Sequence, residues 1–327
     1  MKRFPLAAAV ATALIALTAC GSSSSDGDAG SGPWTFTDDR GTKISVDGTP
    51  RRIVVQSSIA AALTDLGLGD QIVGTFGPLK LSDGSVDPQA AGLDPEDVTD
   101  VTGGGEYGTL DLEKLAALKP DLVVTNMYVK PELWYLNDAT AKQVEKLAPT
   151  LAINFQGLDL VETLDAVEKV AARLGADLQD DDAVEGRKAF EAASKRLSAV
   201  GDELEGKTVL PVSATADLFY AGDPKQFPDI AYYQSIGLPI APVKPKKGSY
   251  WDELSWEKSD KYDADIILWD DRLGAGGLKS LKAQPVFGTI TGAKNDAYVP
   301  WAAVTPPGYA AYARIIDTLV DNLKEQL

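Results

Sequence analysis

Cys20 is the chain's one thiol, and no histidine occurs anywhere in its 327 residues. The second fact removes more chemistry than the first supplies. Without imidazole there is no Ser-His-Asp or Cys-His nucleophile, no His ligand for zinc or copper, and no proximal His for haem. Carboxylate chemistry, Ser-Lys chemistry and binding without turnover remain. Carboxylates are plentiful: 48 Asp and Glu against 31 Lys and Arg give a formal charge of -17. The adjacent pair Asp270-Asp271 could be invoked for a two-carboxylate glycosidase. Neighbours on one loop seldom oppose each other across a scissile bond, so that reading stands only as an alternative. So acidic a chain offers no basic stripe to phosphates, which argues against a nucleic-acid partner. The expectation is a binding protein, with no catalytic residue and no protein-held metal or cofactor.

The surroundings of Cys20 give its one thiol a use. Lys2 and Arg3 precede an uncharged stretch from Phe4 to Ala16, the charged and apolar regions of a signal peptide, too short to persist as a spanning helix. Leu17-Thr18-Ala19-Cys20 resembles a bacterial lipobox. The resemblance implies cleavage before Cys20 and acylation of its sulfur and new amino terminus, each buried methylene adding about 0.8 kcal/mol of membrane affinity. A plain secretory signal is the alternative. Acylation would leave no thiol for disulfides or thiolate catalysis. Residues 21–32 are almost all Gly, Ser, Asp and Ala, a composition with nothing to bury. The reading is therefore a signal peptide over 1–19, a flexible tether over 20–32, and a body of about 295 residues on the extracytoplasmic face of the cell membrane, held there by lipid.

The elements of that body read as two similar halves. Leu112-Glu113-Lys114 begins a short helix that Pro120 ends, and Leu122 to Thr125 is a buried, β-branched strand. Trp256-Glu257-Lys258 followed by Ala264-Asp265-Ile266-Ile267-Leu268 repeats the plan, with Glu113 to Asp121 and Glu257 to Asp265 spaced alike. A second echo joins the strand Arg52–Val55 and a helix ending at Leu66-Gly67-Leu68 to the strand Lys207–Leu210 and a helix ending at Ile236-Gly237-Leu238. Continuous apolar strands suit parallel sheets covered on both faces. A front hairpin is expected from Trp34–Thr37 and Lys43–Val46 about the turn Asp38-Asp39-Arg40-Gly41. Between the halves, Phe190, Ala193, Leu197, Val200 and Leu204 make one apolar stripe on a helix over 180–205. At about 1.5 Å per residue that helix would span roughly 35 Å. It reads either as an ordinary surface helix or as a stiff strut between lobes 33–179 and 206–327.

The order of these features resembles the iron-siderophore and cobalamin binding lipoproteins of ATP-driven (ABC) importers. Asp38-Asp39-Arg40-Gly41-Thr42, Thr49-Pro50-Arg51-Arg52-Ile53-Val54, Leu66-Gly67-Leu68 with Ile72-Val73-Gly74, and Lys119-Pro120-Asp121-Leu122-Val123 carry the resemblance. Tyr262–Ile267 and Ala293-Lys294-Asn295 with Ala297-Tyr298 extend it to residues 34–325. It implies two Rossmann-like α/β lobes joined by one long α-helix, a ligand cleft between them, and little closure; the chain is expected to act as a monomer. It also implies that Glu113 and Glu257 dock on Arg residues of a membrane permease, a pairing whose bidentate geometry would set register.

Ligand residues are picked only as loops, because in open α/β sheets ligands lie beyond the carboxyl ends of strands. The rule selects Ser57 after the first strand, Phe76, Tyr107 beside the triple glycine 103–105, and Tyr128. In the second half it selects Tyr220, Tyr250, Trp251, Trp269, Arg272 and Trp301. Rigid amphipathic rings suit a bulky chelate. The triple glycine lacks a Gly-Lys-Ser ending and reads as a cleft loop rather than a phosphate loop. Arg272 is the lone Arg of the second-half loops, and a negative field helps cations approach. Neutral or cationic ferric hydroxamates are therefore favoured over anionic complexes. Cobalamin and haem remain alternatives, as does an adhesion lipoprotein with no cleft.

Overall fold

The computed structural model describes residues 32–327; the signal segment, Cys20 and nearly all of the tether lie outside the described residues. The chain opens with strands β1 (Trp34–Thr37) and β2 (Lys43–Val46), paired antiparallel with Trp34 opposite Val46. The turn between them is anchored by Asp38, whose side chain is fully buried. Its carboxylate accepts backbone N–H bonds from Arg40 and Thr42 and one from Ala152, and Arg40 Nε donates to it at 2.8 Å. The hairpin is thereby tied to the outer strand of the first sheet.

That sheet comprises β3 (Ile53–Gln56), β4 (Ile72–Phe76), β5 (Thr99–Asp100), β6 (Leu122–Met127) and β7 (Thr150–Asn154), ordered β5-β4-β3-β6-β7 and parallel throughout. Helices α1 (Ser57–Asp65), α2 (Leu112–Leu118), α3 (Asp138–Val144) and α4 (Leu160–Leu174) accompany it. Ile53, Val55, Leu122 and Val124 pack to one face with α1, and Val54 and Val123 to the other with Leu115 of α2. Each strand alternates faces, and both faces are covered, so the strands read as continuous apolar runs.

Helix α5 (Asp181–Glu203) follows. Asp180 caps it, and Asp181 and Asp182 stand in its first turn where the helix dipole favours negative charge. The expected stripe is buried: Phe190, Ala193, Leu197 and Val200 lie in the second core with α9 (Tyr309–Lys324). The helix is thus not a bare strut. It is laid along α9, where Gly186 lets Ala310 approach so closely that a Cβ would meet it at 3.2 Å.

The second sheet comprises β8 (Val209–Ala214), β9 (Leu218–Gly222), β10 (Trp251–Ser255), β11 (Ile266–Asp270) and β12 (Tyr298–Trp301), ordered β10-β9-β8-β11-β12. Helices α6 (Pro228–Ser235), α7 (Gly274–Lys282) and α8 (Thr291–Lys294) complete the lobe. The order matches that of the first sheet strand for strand, but β9 runs antiparallel to both neighbours, so the sheet is mixed rather than wholly parallel. The second echo is accordingly partial: a hairpin strand intervenes before the helix that ends at Ile236.

The shared Asp of the first echo has a physical role. Asp121 accepts backbone N–H bonds from Arg51 and Arg52, and Asp265 accepts one from Thr208 at 2.8 Å. Each carboxylate fastens the chain entering the central strand to the chain entering its neighbour. The Glu that precedes it differs in setting. Glu113 is in the first turn of α2, whereas Glu257 lies in a single 3-10 turn, Trp256–Lys258, where a helix was expected. Leu112, Leu115 and Leu118 give α2 an apolar stripe to bury; Lys258, Asp260 and Lys261 offer none, and the helix does not propagate. Both Glu side chains are exposed.

Candidate functional site

Between the lobes lies a cavity of about 280 Å³. The first lobe contributes Tyr128, Trp134, Phe155 and Thr163; the second contributes Phe227, Asp229, Tyr250, Trp251, Arg272 and Tyr312, among others. The walls are chiefly rings. Tyr128 sits edge-on to Trp134 at 4.9 Å and to Phe155 at 5.5 Å. Opposite, Phe227 packs against Trp251 at 4.8 Å and Tyr250 at 5.3 Å, with Trp301 beneath at 5.1 Å. The Tyr250 hydroxyl donates to the Tyr128 carbonyl, joining the two walls. Tyr250→Phe is expected to lower the unfolding free energy by about 1 kcal/mol, the usual net worth of one hydrogen bond, read as a lower urea midpoint.

Four of the residues selected from the sequence line this cavity: Tyr128, Tyr250, Trp251 and Arg272. The others do not, each for a local reason. Helix α1 begins directly after β3, so Gln56 spends its side chain capping Ser58 and Ile59, and Ser57 is wholly buried in that knot. Phe76 is core beside Leu115 and Val54. Tyr107 is 59% exposed and accepts the Tyr135 N–H at 3.1 Å, standing behind Trp134 rather than in the cavity. Tyr220 backs Trp251 at 6.1 Å. Trp269 packs on the face of its sheet opposite Leu268 and Trp301, as strand alternation requires. Trp301 is 2% exposed and lies under the cavity, donating Nε1 to Asp229 at 2.6 Å.

Sequence reading missed Trp134, Phe155, Phe227, Asp229 and Tyr312. For two of these a signal existed: Phe227-Pro228-Asp229 has Pro at a helix start followed by an acid, the pattern of a helix amino terminus. Trp134 arrives from the long connection after β6, and its indole Nε1 is buried with no partner among the described residues. Such a donor is costly to leave unmade, and it belongs to the cavity lining.

Polar groups are few and held firmly. Arg272 lies flat against Asp270: Nε donates to Oδ1 at 2.8 Å and Nη2 to Oδ2 at 2.6 Å. Ser213 Oγ also donates to Asp270, at 2.9 Å. Burial pushes the Asp229 carboxyl up to about 6, against the bonds from Trp301 and its own helix start that favour the charged form. Burial likewise holds Tyr128 and Tyr312 well above the usual phenol range and raises Tyr250 to about 12. At neutral pH these phenols are hydrogen-bond donors, not phenolates.

Two α/β lobes, long helices tying them together and an aromatic cavity between them define a two-lobed solute-binding protein. The chain belongs to the periplasmic binding protein family, whose model matches residues 53–302. Among solved structures it is similar to DesE, a ferric-siderophore receptor protein from Streptomyces coelicolor. The two are 30% identical, the match covers 89% of this chain and 98% of that one, and the TM-score is 0.81. Among curated proteins it is 25% identical over 288 residues to the Fe(3+)-citrate-binding protein YfmC of Bacillus subtilis, covering 86% of this chain and 84% of that protein. The petrobactin-binding protein YclQ of Bacillus subtilis shares the fold, with a TM-score of 0.68 at 18% identity over 89% of this chain and 99% of that one.

Proposed function

We propose that this chain captures a ferric siderophore, of hydroxamate type in preference to anionic classes, and hands it to the permease of an ABC importer. One observation carries the reading: an aromatic cavity with a single, rigidly held Arg272, in a chain 30% identical to a ferric-siderophore receptor over 89% of its length. Ring faces bury the organic shell of the chelate. The N–H groups of Arg272 not spent on Asp270, the Tyr128 and Tyr312 phenols and Trp134 Nε1 donate to its metal-bound oxygens, the Tyr250 hydroxyl being already given to the Tyr128 carbonyl. Asp229 works against an anionic cargo such as ferric citrate. The iron arrives wrapped in its chelator, so the protein supplies shape and donors rather than ligands, and binding rather than turnover.

The equivalent places of Glu113 and Glu257 support their use in docking. The N-cap of α2, Asp111, bonds back to Val101 just past β5, and Glu257 follows β10, the strand in the matching position of the other sheet. Each carboxylate thus stands exposed at the strand ends that border the cleft. Lipid attachment through Cys20, at the extracytoplasmic face of the membrane, and a monomeric state complete the proposal.

Titration of the body lacking residues 1–32, followed by Trp fluorescence, tests it. A ferric trihydroxamate is expected to quench saturably at one-to-one stoichiometry, and its metal-free form not to. Absence of a saturable response across ferric hydroxamates, ferric catecholates, ferric citrate, haem and cobalamin would overturn the reading.

A further inference from the structure

Asp229 is the one charged lining residue of the cavity that no cation neutralises among the described residues; the Trp301 indole and the start of its own helix favour its charged form but do not balance it. Its side chain is 4% exposed, and it belongs to the cavity wall together with Tyr128, Phe227, Trp251 and Tyr312. Oδ2 accepts the Trp301 indole N–H at 2.6 Å. Oδ1 has no side-chain partner, and no Lys or Arg forms a salt bridge with the carboxylate, among the described residues. The cation nearest in the lining, Arg272, is already neutralised by Asp270. A neutral acceptor such as Asn would satisfy Trp301 equally well and avoid the desolvation of a charge. That desolvation is visible in the raised pKa of the group.

A buried carboxylate walled by aromatic faces has a natural counterpart. An ammonium group can hydrogen-bond Oδ1 while its charge rests on the rings, which attract cations over their faces. We propose that Asp229 and the rings around it form a seat for a protonated amine carried by the bound chelate, so that the cargo is a cationic, amine-bearing ferric complex. The inference rests on the function proposed above and narrows it from a chelate class to a recognised substituent. Arg272 and Asp229 then divide the work: the guanidinium faces metal-bound oxygens, and the carboxylate faces the amine.

The test compares two ferric complexes of one linear trihydroxamate, one ending in a primary amine and the other in its N-acetyl derivative. Both are titrated into the wild-type body and into Asp229→Asn. The wild type is expected to bind the amine form about tenfold or more tightly, the worth of a hydrogen bond to a buried charge. The preference should vanish in Asp229→Asn, whose far-UV circular dichroism confirms folding. Equal affinities in the wild type overturn the inference and leave the proposed function standing, and this arm needs no variant. A preference that survives unchanged in Asp229→Asn also overturns it. If neither complex binds, the inference falls, and the titration across the other chelate classes decides the proposed function separately.

Discussion

Replacing Arg272 with Ala is expected to weaken binding of a ferric trihydroxamate at least about 30-fold, the loss typical of a central, well-packed Arg contact. Lys is expected not to restore it. The guanidinium is pinned in one plane by two bonds to Asp270, which leaves its remaining N–H groups in a set direction; a Lys ammonium on a flexible stem cannot reproduce both contacts. The same change also disturbs the fold. Asp270 keeps only 3% of its side-chain surface in water and would be left as an uncompensated buried carboxylate. Breaking a fully buried pair costs about 3–5 kcal/mol. Here the Arg side chain is 42% exposed, so water already screens the pair and a cost nearer ~2 kcal/mol is expected. Pairing Arg272→Ala with Asp270→Asn separates the two effects: urea denaturation should recover most of the stability while titration shows no recovery of affinity. Wild-type affinity in Arg272→Ala would remove this residue from the site.

The lobes hold this site in place because two helices cross between them. Leu160 and Leu164 of α4 belong to the second core, while Val167, Val170 and Leu174 of the same helix belong to the first. Arg187 of α5 pairs with Glu168 of α4 at 2.9 Å, and the Tyr309 hydroxyl of α9 donates to Asp165 at 2.7 Å. Hinge motion would have to unpack α4 from one core or the other. A cavity largely formed before the ligand arrives saves the ordering cost of binding, which suits scarce cargo.

What could be read in advance follows from how local each feature is. The front hairpin, the stripe on α5 and the matched Asp121 and Asp265 are short-range patterns, and the structure has all of them. The reversal of β9 is not local: nothing in Leu218–Gly222 says which way it will pair, and with it went the assumption that every strand end opens on the cleft. The strand-end rule therefore worked at Tyr128, which follows β6, and missed at Ser57, where a helix begins with no loop between. Arg272 was found because it was the only Arg available. Asp229 was overlooked because its burial depends on Trp301 and Tyr312, distant in sequence and joined to it only by the folded lobe.

That burial makes a second large effect measurable without any ligand. Asp229→Asn is expected to stabilise the unliganded protein by about 3 kcal/mol at pH 8. The carboxyl titrates near 6 in the fold against an ordinary 3.8, and each pH unit of separation is worth ~1.4 kcal/mol. The folded-state pKa is raised, so between these two values the native chain holds a proton that the unfolded chain has released. Stability of the wild type therefore falls as pH rises from 4 to 6 and stays at the lower value above. In Asp229→Asn this contribution is missing, so the advantage of the variant should shrink below pH 6 and close toward pH 4. The groups facing Asp229 are the Trp301 indole N–H and the hydroxyls of Tyr128, Tyr233 and Tyr312, all uncharged through this range. Asp271 is also raised to about 6, but it is present in both proteins and cancels in the difference. Urea midpoints of both proteins at pH 5 and pH 8 decide the matter. An advantage that is the same at both values, or a loss at both, would mean that the carboxylate is not ionised against its surroundings. A protein that is more stable without a buried charge retains that charge for what it binds, because folding alone selects against it.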